Sequence, residues 1–365
     1  MIRIGIDVSA CAKPRGYGIP HYIHHLLAEL AKLDTTDVFY AYYRASRILS
    51  AKYIRVPAQS NFHRRPFFEL IGQLFGASVQ VFHGPDARIP RLPGVKTVVT
   101  IHDLMALRED RFSDLAFRQK KQARYHEIAD HADRIIATTN TNRAEIVATL
   151  GVDERRVVTI YQGFSDTFRP QPPQEIDRVR QKYRLPALYL LSTAGLSRRK
   201  NTLAILKVVR RLSQGDPAIK LVLTGQKSYQ WEESASLLEE MVEQGVVRYL
   251  GFVPDADMPA VMAGARLLLF PSLYEGFGHP VLEAMSCGVP VVTSNAGSLP
   301  EVAGGAAVLV DPTNLDDIAA ATSQILTDER ARTELVARGF ARAAQFSWAR
   351  TAQETLRLYR ELAGE

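Results

Sequence analysis

Residues 267–302, LLLFPSLYEGFGHPVLEAMSCGVPVVTSNAGSLPEV, constrain the fold more than any other stretch of the chain. The apolar run ending at Phe270 reads as a strand buried on both faces, as strands of parallel sheets are. The loop SLYEGFGH follows, polar and glycine-bearing. Pro280 then stands where a helix has its first residue, so VLEAMS is predicted as a short helix closed by Gly288, and VPVVTS as the next strand. Strand, loop, helix and strand make a parallel-sheet unit. Its loop lies at the carboxyl end of a strand, where open α/β sheets bind ligands.

Two carboxylates in this unit have different settings. Glu275 is in the loop, and Glu283 is expected within the first turn of the helix. Gly276 and Gly278 flank Phe277, so the backbone there can take positive φ and come close to a ligand. Amides at the helix start, near Val281 and Leu282, are expected to lack intrahelical partners and to suit a phosphate. A polyol would then meet one carboxylate and bare amides, with a phosphate and a second diol held by the helix. A surface acid and a helix-favoured glutamate explain the same residues with no ligand at all.

The segment PSLYEGFGHPVLEAMSCGVPVVTSNAGSLPEV resembles the signature of family-four glycosyltransferases, which are retaining enzymes of the GT-B fold. Their hallmark is a glutamate, seven intervening residues and a second glutamate, matched here by Glu275 and Glu283. The resemblance extends over nearly all of the chain and is most specific here. It implies that Glu275 and the amides of Phe277 and Gly278 hold hydroxyls of a donor sugar, and that Glu283 accepts from a nucleotide ribose. Where the family commonly has an aliphatic residue this chain has His279, which is counted with the donor-binding set and leaves the local sugar preference open.

The chain has 365 residues, enough for two domains of ordinary size. Its two cysteines, Cys11 and Cys287, are far apart and match no metal spacing, which fits a reducing cytoplasm. MIRIGIDVSA is a short alternating strand without the apolar core of a signal peptide, and no apolar run is long enough to span a bilayer. A cytoplasmic protein is expected, with peripheral contact at the inner face of the plasma membrane. Through residue 170 there are 24 Lys and Arg against 17 Asp and Glu, and 21 against 22 after it. The basic first half points to an anionic partner, a lipid headgroup, a phosphorylated carrier or a nucleic acid, or else is ordinary surface charge. With the resemblance, the partners expected are a nucleotide-sugar donor, a glycan or lipid-linked acceptor and an anionic membrane, with no nucleic acid.

Residues 2–8 read as a first strand, KPRGYGIP as a glycine loop and HYIHHLLAELAKL as an amphipathic helix. By resemblance, amides of this loop face the donor diphosphate, with Gly16 and Gly18 as candidates. His21 and His25, four apart, have the spacing of a metal pair but no third ligand nearby, so a solvated helix turn is favoured. NFHRRPFFELIGQLFG is read as a core-facing helix exposing Arg64 and Arg65, or as a membrane-interface element. KTVVTIHDLMAL is a strand ending in His102-Asp103. The resemblance sets His102 beside the donor sugar; a histidine there would otherwise satisfy a backbone carbonyl.

SDTFRPQPPQE, polar and with three prolines, reads as an interdomain hinge. Beyond it, ALYLLSTAG ends a strand, SRRK is a loop, and a helix starts near Asn201. Arg199 and Lys200 thus sit at a helix N-terminus, where basic residues are unfavourable unless an anion is bound. The family pattern has a lysine followed by glycine or asparagine here, gripping the diphosphate, which makes Lys200 the stronger candidate. Gly225 and Phe252, closing the strands IKLVLTG and VVRYLGF, complete the donor-binding set. Asp255-Ala256-Asp257 matches a metal-binding D-x-D, but it opens the predicted helix DMPAVMAGA and is better read as a cap. No metal or other cofactor is expected.

The fold class expected is α/β, GT-B: two Rossmann-like parallel-sheet domains facing across a cleft. Residues 1–168 form the acceptor-binding domain, 169–184 the hinge and 185–345 the nucleotide-sugar domain. Residues 346–365 form a helix crossing back to the first domain, anchored by Trp348. The activity implied is retaining sugar transfer, from a GDP-mannose-type donor as first choice, to a glycan or lipid-linked hydroxyl of a surface polysaccharide. His102, Arg199, Lys200 and Glu275 are the catalytic candidates. The alternatives are a UDP-sugar donor, a nucleotide-sugar epimerase, or an inactive sugar-nucleotide-binding subunit.

Overall fold

A computed structural model describes residues 1–13, 18–33, 36–68, 73–74, 78–108, 114–227 and 231–365. The chain forms two units. One comprises Met1–Leu107, Ala116–Gly163 and Ser347–Glu365, and the other Phe164–Phe346 with Arg108–Leu115.

The first unit is built on strands β1 (Arg3–Asp7), β2 (Val38–Arg44), β3 (Phe62–Phe68), β4 (Gln73–Leu74), β5 (Val81–Gly84), β6 (Lys96–Ile101), β7 (Arg134–Ala137) and β8 (Val157–Thr159). They run in the order β4-β3-β2-β1-β5-β6-β7-β8, parallel except for the short antiparallel pair β3–β4. Central strands are apolar on both faces because helices α1 (Ile19–Leu33), α2 (Leu115–His131) and α3 (Asn140–Leu150) accompany them in the chain. The order reverses at β1, between β2 and β5. The loop holding Gly18, whose φ is +65°, leaves the carboxyl end of that strand.

One sequence expectation is overturned here. Residues 62–68, read as the start of a helix, form a strand in register with β2, from Phe39 opposite Phe62 to Arg44 opposite Phe67. Phe62 and Phe67 are buried and the two arginines exposed. Pro66 is tolerated because β3 is next to the sheet edge, where β4 pairs only with Phe67 and Phe68.

The final helix, α12 (Trp348–Ala363), belongs to this first unit. Its buried face, Trp348, Ala352, Leu356 and Tyr359, joins Ile23, Leu26 and Leu27 of α1 in one core. Trp348 stacks on His25 at 5.1 Å and meets the edge of Tyr22 at 5.7 Å. Gly163 lies against the start of α12, and a Cβ on it would fall 2.1 Å from the Trp348 amide nitrogen.

The second unit alternates helices and strands: α4 (Pro173–Tyr183), β9 (Leu190–Ser192), α5 (Thr202–Gly215), β10 (Leu221–Thr224), α6 (Ala235–Glu243), β11 (Val247–Gly251), α7 (Met258–Ala263), β12 (Leu267–Phe270), α8 (His279–Ser286), β13 (Val291–Ser294), α9 (Leu299–Ala303), β14 (Val308–Val310), α10 (Leu315–Thr327) and α11 (Glu329–Ala343). The sheet is wholly parallel, ordered β11-β10-β9-β12-β13-β14. Strand order therefore reverses between β9 and β12, and the loops leaving those two strands are neighbours although some 75 residues separate Arg199 from Tyr274. Within the stretch read as a hinge, residues 173–183 are helix α4 of this second unit. No helix among the described residues is long and apolar enough to cross a membrane.

Candidate functional site

The adjacency of β9 and β12 decides what the second unit can hold. The loop after β9 carries Arg198, Arg199 and Lys200 into Asn201, the residue before α5, which adopts φ +62°. The Asn201 side-chain amide donates to the carbonyls of Pro271 (3.1 Å) and Pro312 (2.6 Å), tying the start of α5 to the end of β12. The Leu273 amide donates to the Arg199 carbonyl at 2.8 Å. These main-chain contacts set the two basic residues against the glutamate loop.

Arg199 donates through Nη1 to Glu275 Oε2 and to the Tyr274 carbonyl, each at 2.8 Å. Burial pushes the Glu275 carboxyl up, but Arg199 and Lys200 together outweigh it and hold the acid ionised below its ordinary value. The remaining oxygen, Oε1, is buried, and the hydroxyl of Ser272, buried beside the carboxylate, also favours its ionised form. An ionised carboxylate has room for more than one donor on each oxygen, and a sugar hydroxyl is a donor of the right kind.

Lys200 is half-buried, its ammonium 5.2 Å above the Phe270 ring and 3.5 Å from the Thr193 carbonyl, a long contact. Burial lowers its pKa, Glu275 and Glu283 oppose that, and Arg199 adds to it. A diphosphate placed here would restore the charge. Glu283 is the fifth residue of α8, one residue further along the helix than the sequence reading put it, because the helix starts at His279 and not at Pro280. Burial pushes its carboxyl up to about 7, with Lys200 acting against the rise and Asp255 adding to it.

The start of α8 also differs in detail. Gly278 is the N-cap at φ +107°, and a Cβ there would sit 2.6 Å from a Leu299 methyl, so only glycine fits. His279 begins the helix and Pro280 is second. The Val281 amide, expected to be bare, donates to the Gly278 carbonyl at 3.0 Å, because the chain tightens as it enters the helix. The side chains of Val281 and Leu282 are fully buried. Phe277 is buried too, its ring 4.8 Å from His279 and 5.9 Å from Phe346, and this fixes the backbone of its loop.

Gly225 packs against Gly195 so closely that a Cβ would lie 2.7 Å from the Gly195 Cα. Its visible role is close approach of two strand ends. Phe252 directly follows β11 and is half-buried. In the first unit, Gly18 precedes α1 with open space about it, and Gly16 lies outside the described residues. His102 follows β6. Its Nε2–H donates to the Pro85 carbonyl at 2.9 Å, and Nδ1 accepts from the Gln162 side-chain amide at 3.0 Å. Burial lowers its pKa, in keeping with this neutral tautomer. The carbonyl-satisfying arrangement is thus present.

The D-x-D pair has a different role from the cap proposed for it. Asp257 stands at the N-cap position of α7 without a side-chain cap bond. Its carboxylate instead accepts from Arg178 (2.9 Å), Lys182 (2.6 Å) and Tyr183 (2.5 Å) of α4. Among the described residues no group of three His, Cys, Asp or Glu side chains is placed to hold a metal ion.

Residues 17–168 match the family described as Glycosyltransferase Family 4, and residues 174–342 match Glycosyl transferases group 1. The O-antigen chain mannosyltransferase B of Escherichia coli is 37% identical over 290 residues, which are 77% of this chain and 74% of that protein. The chain is a family-four glycosyltransferase. The serotype-specific mannosyltransferase WbdA of Escherichia coli is 33% identical over 266 residues, 70% of this chain, but the match spans only 32% of that longer protein. The fold is GT-B, shared with the sucrose-phosphate synthase of Thermosynechococcus elongatus at a TM-score of 0.78 and 20% identity, covering 99% of both chains.

Sequence reading of the glycosyltransferase missed three supports of the site. Gly297, at φ +58°, lies where a Cβ would be 2.9 Å from the Glu275 carbonyl oxygen, and the Ser298 amide donates to that oxygen at 3.2 Å. Ser272 is buried beside the Glu275 carboxylate and helps hold it ionised through its hydroxyl. The signal for the first two was the N-A-G-S run after β13, a turn composition whose partner in space the sequence does not reveal.

Proposed function

We propose that this glycosyltransferase moves a mannose-type sugar from a GDP-linked donor to a hydroxyl of a glycan or lipid-linked acceptor in surface polysaccharide synthesis. We propose further that it does so with retention at the anomeric carbon and without a metal. The observation that carries the reading is the cluster Arg199–Glu275–Lys200–Glu283, built where the strand order reverses. The mannosyl assignment draws on the names of the E. coli relatives.

In this reading Lys200 faces the diphosphate and stabilises the charge that develops as the sugar–phosphate bond breaks, the largest electrostatic contribution in such sites. Glu275 holds sugar hydroxyls through Oε1, the oxygen not paired with Arg199, and Arg199 positions that glutamate. Glu283 accepts from the ribose. No carboxylate is assigned as a nucleophile, so the acceptor hydroxyl attacks from the face the diphosphate leaves. The first unit binds the acceptor, and His102 is assigned to the donor-sugar side. Peripheral contact with an anionic membrane through the basic first unit belongs to the same proposal.

The test is turnover with GDP-mannose against UDP-glucose and UDP-N-acetylglucosamine in the presence of lipid-linked and free glycan acceptors. The anomeric configuration of the product is read by proton NMR. Mannosyl product of retained configuration is expected. Inversion overturns the mechanism, and exclusive use of a UDP-sugar overturns the donor. Epimerised donor formed without acceptor overturns both.

A further inference from the structure

Two large aliphatic side chains stand next to each other on the surface of the first unit. Ile48 is 60% exposed and Leu49 89%, and among the described residues no large apolar side chain is more open to solvent than Leu49. Both belong to a 3₁₀ helix, Ala45–Tyr53, that follows β2. Side chains three apart align in such a helix, so Ser46, Leu49 and Lys52 form one exposed row, with Arg47 and Tyr53 in the next. Ala51, in the third row, is buried in the core of the unit. Arg64 on β3 holds the far end, donating from Nη1 to the Ala51 carbonyl at 3.1 Å. Leu49 is thus held out to solvent on an anchored element.

The charge around these residues is of one sign. Residues 38–68 contain six Lys and Arg and no Asp or Glu, matching the net +6 of the whole chain. Arg44 pairs with buried Asp7 at 2.9 Å. Arg47, Lys52, Arg55, Arg64 and Arg65 are exposed and form no ion pair among the described residues. Of the acids bounding the stretch, Asp37 is paired with Arg360 at 2.8 Å, and Glu69 lies outside the described residues. Strand alternation sends Arg64 and Arg65 to opposite faces of β3, and the bond to Ala51 puts Arg64 on the side of the 3₁₀ helix. The Lys52 ammonium lies 5.2 Å from the Tyr53 ring.

An aliphatic pair among cations that no acid neutralises matches a lipid surface in both respects. Acyl chains accept the leucine and isoleucine, a tyrosine suits the boundary with water, and anionic headgroups meet the cations. Protein interfaces are depleted in lysine, and a nucleic acid would leave Ile48 and Leu49 without an apolar partner. We infer that the face formed by Ile48, Leu49 and Tyr53 with Arg47, Lys52 and Arg55 docks on an anionic lipid bilayer, its two aliphatic side chains entering the boundary between headgroups and acyl chains. The inference deepens, and rests on, the membrane contact proposed above. The 3₁₀ helix leaves β2 at its carboxyl end, beside the end of parallel β1 from which the Gly18 loop departs, so docking sets the bilayer at the ligand-binding edge of this sheet.

Co-sedimentation of the full chain with vesicles of phosphatidylcholine, alone and mixed with phosphatidylglycerol, tests it. Binding to the anionic vesicles is expected, weakening as salt rises. Ile48→Ser/Leu49→Ser should weaken it about 10-fold or more, the scale of withdrawing a large aliphatic side chain from an apolar environment. Arg47→Gln/Lys52→Gln should weaken it by about 5-fold per charge, and Arg330→Gln on exposed α11 should not. The emission of a Leu49→Trp variant should shift to the blue when anionic vesicles are added. Binding that survives in both folded double variants keeps a membrane contact but overturns this face, and so does an unshifted Leu49→Trp emission in protein that sediments. No binding by wild type at millimolar lipid overturns the face and the membrane contact together. Heparin binding lost in the double variants, without vesicle binding by wild type, assigns the face to a soluble polyanion and overturns the inference. Turnover on a soluble glycan acceptor reports separately on the transferase: it should be unchanged in every variant, and its absence in wild type with vesicle binding intact would sink only the transferase reading.

Discussion

Arg199 and Glu275 form a 2.8 Å ion pair that joins the loop after β9 to the loop after β12. Arg199 therefore already has a carboxylate partner, while among the described residues the Lys200 ammonium makes a long carbonyl contact, lies over a ring and feels the Glu275 and Glu283 charges without an ion pair to either. The two cations, of which the family pattern already favoured Lys200, separate into a positioning arginine and a lysine left to meet the diphosphate. Lys200→Ala should lower kcat by roughly 10²-fold or more, on the scale of a lost transition-state charge contact. Arg199→Ala should raise KM for the sugar nucleotide as well, because Glu275 loses its orientation, and should leave affinity for bare GDP closer to wild type. Steady-state kinetics with GDP titrations check both. Near wild-type turnover in folded Lys200→Ala would remove the lysine from the mechanism.

The glutamates should divide by ligand. Glu275→Gln should weaken binding of the sugar nucleotide more than that of GDP, which has no sugar to lose. Glu283→Gln should weaken both by about 10- to 150-fold, the range for a charged hydrogen bond. Because the Glu283 carboxyl is pushed up to about 7, a ribose that donates to it favours the ionised form. Binding below pH 7 should then release a proton, and affinity should rise as pH increases through 7. Calorimetry in buffers of different ionisation enthalpy reads this directly. Equal enthalpies at pH 6.5 would contradict the ribose assignment.

Glu283 also has a consequence for stability. Its folded pKa lies above the ordinary glutamate value, so the folded state binds the proton more tightly and its stability falls as pH rises from about 4.5 toward 7. Glu283→Gln should stabilise the unliganded chain above pH 7, by roughly 1–3 kcal/mol, and do little at pH 4.5. Denaturant melts at pH 5 and 8 measure the difference. A variant less stable at pH 8 would indicate that the carboxylate is a structural partner.

Much of this site was legible because parallel-sheet chemistry is local. Apolar runs ending in glycine loops gave the strands, and Pro280 with Gly288 marked α8. The 62–68 strand was not legible, since FHRRPFF has neither a β-branched residue nor clean alternation, and its pairing with β2 is a non-local contact that overrides propensity. The ion pair from Arg199 to Glu275 was hidden for a related reason. Sequence places each residue at a strand end, but only the order β9-β12 brings the ends together. Asp257 was misjudged because Asp before a helix has two common uses, and its partners come from a helix lying where a hinge was read.

Gly297→Ala should damage the site without touching the chemistry. A Cβ at φ +58° is strained, and here it would press within 2.9 Å of the Glu275 carbonyl oxygen. The expected cost is about 1–3 kcal/mol of stability with a larger fractional loss of sugar-nucleotide affinity than of GDP affinity. Thermal melts with calorimetry distinguish this from general unfolding. Equal loss of both ligands would mean that the turn does not position Glu275.

The last prediction concerns the link between α12 and the first sheet. His83 on β5 is fully buried, with Nδ1 2.5 Å from the Tyr359 hydroxyl of α12 and Nε2 2.8 Å from the Thr100 hydroxyl of β6. Both ring nitrogens are engaged, and burial, with a smaller push from His102, lowers the pKa to about 3. The unfolded chain therefore takes up a proton near pH 6.5 that the folded chain refuses. Stability from this group is complete above pH 6.5 and declines as pH falls, by about 1.4 kcal/mol per unit until the folded pKa is reached. At pH 5 the loss from His83 alone is about 2 kcal/mol. His83→Gln keeps hydrogen-bonding capacity but does not titrate, so it should be less stable than wild type at pH 7.5 and should close the gap by pH 5. Tyr359→Phe should lower stability at both pH values and keep the wild-type slope. Urea melts of the three proteins at pH 7.5, 6 and 5 test the assignment. A wild type and a His83→Gln variant with parallel pH profiles would show that the buried histidine is not what acid attacks.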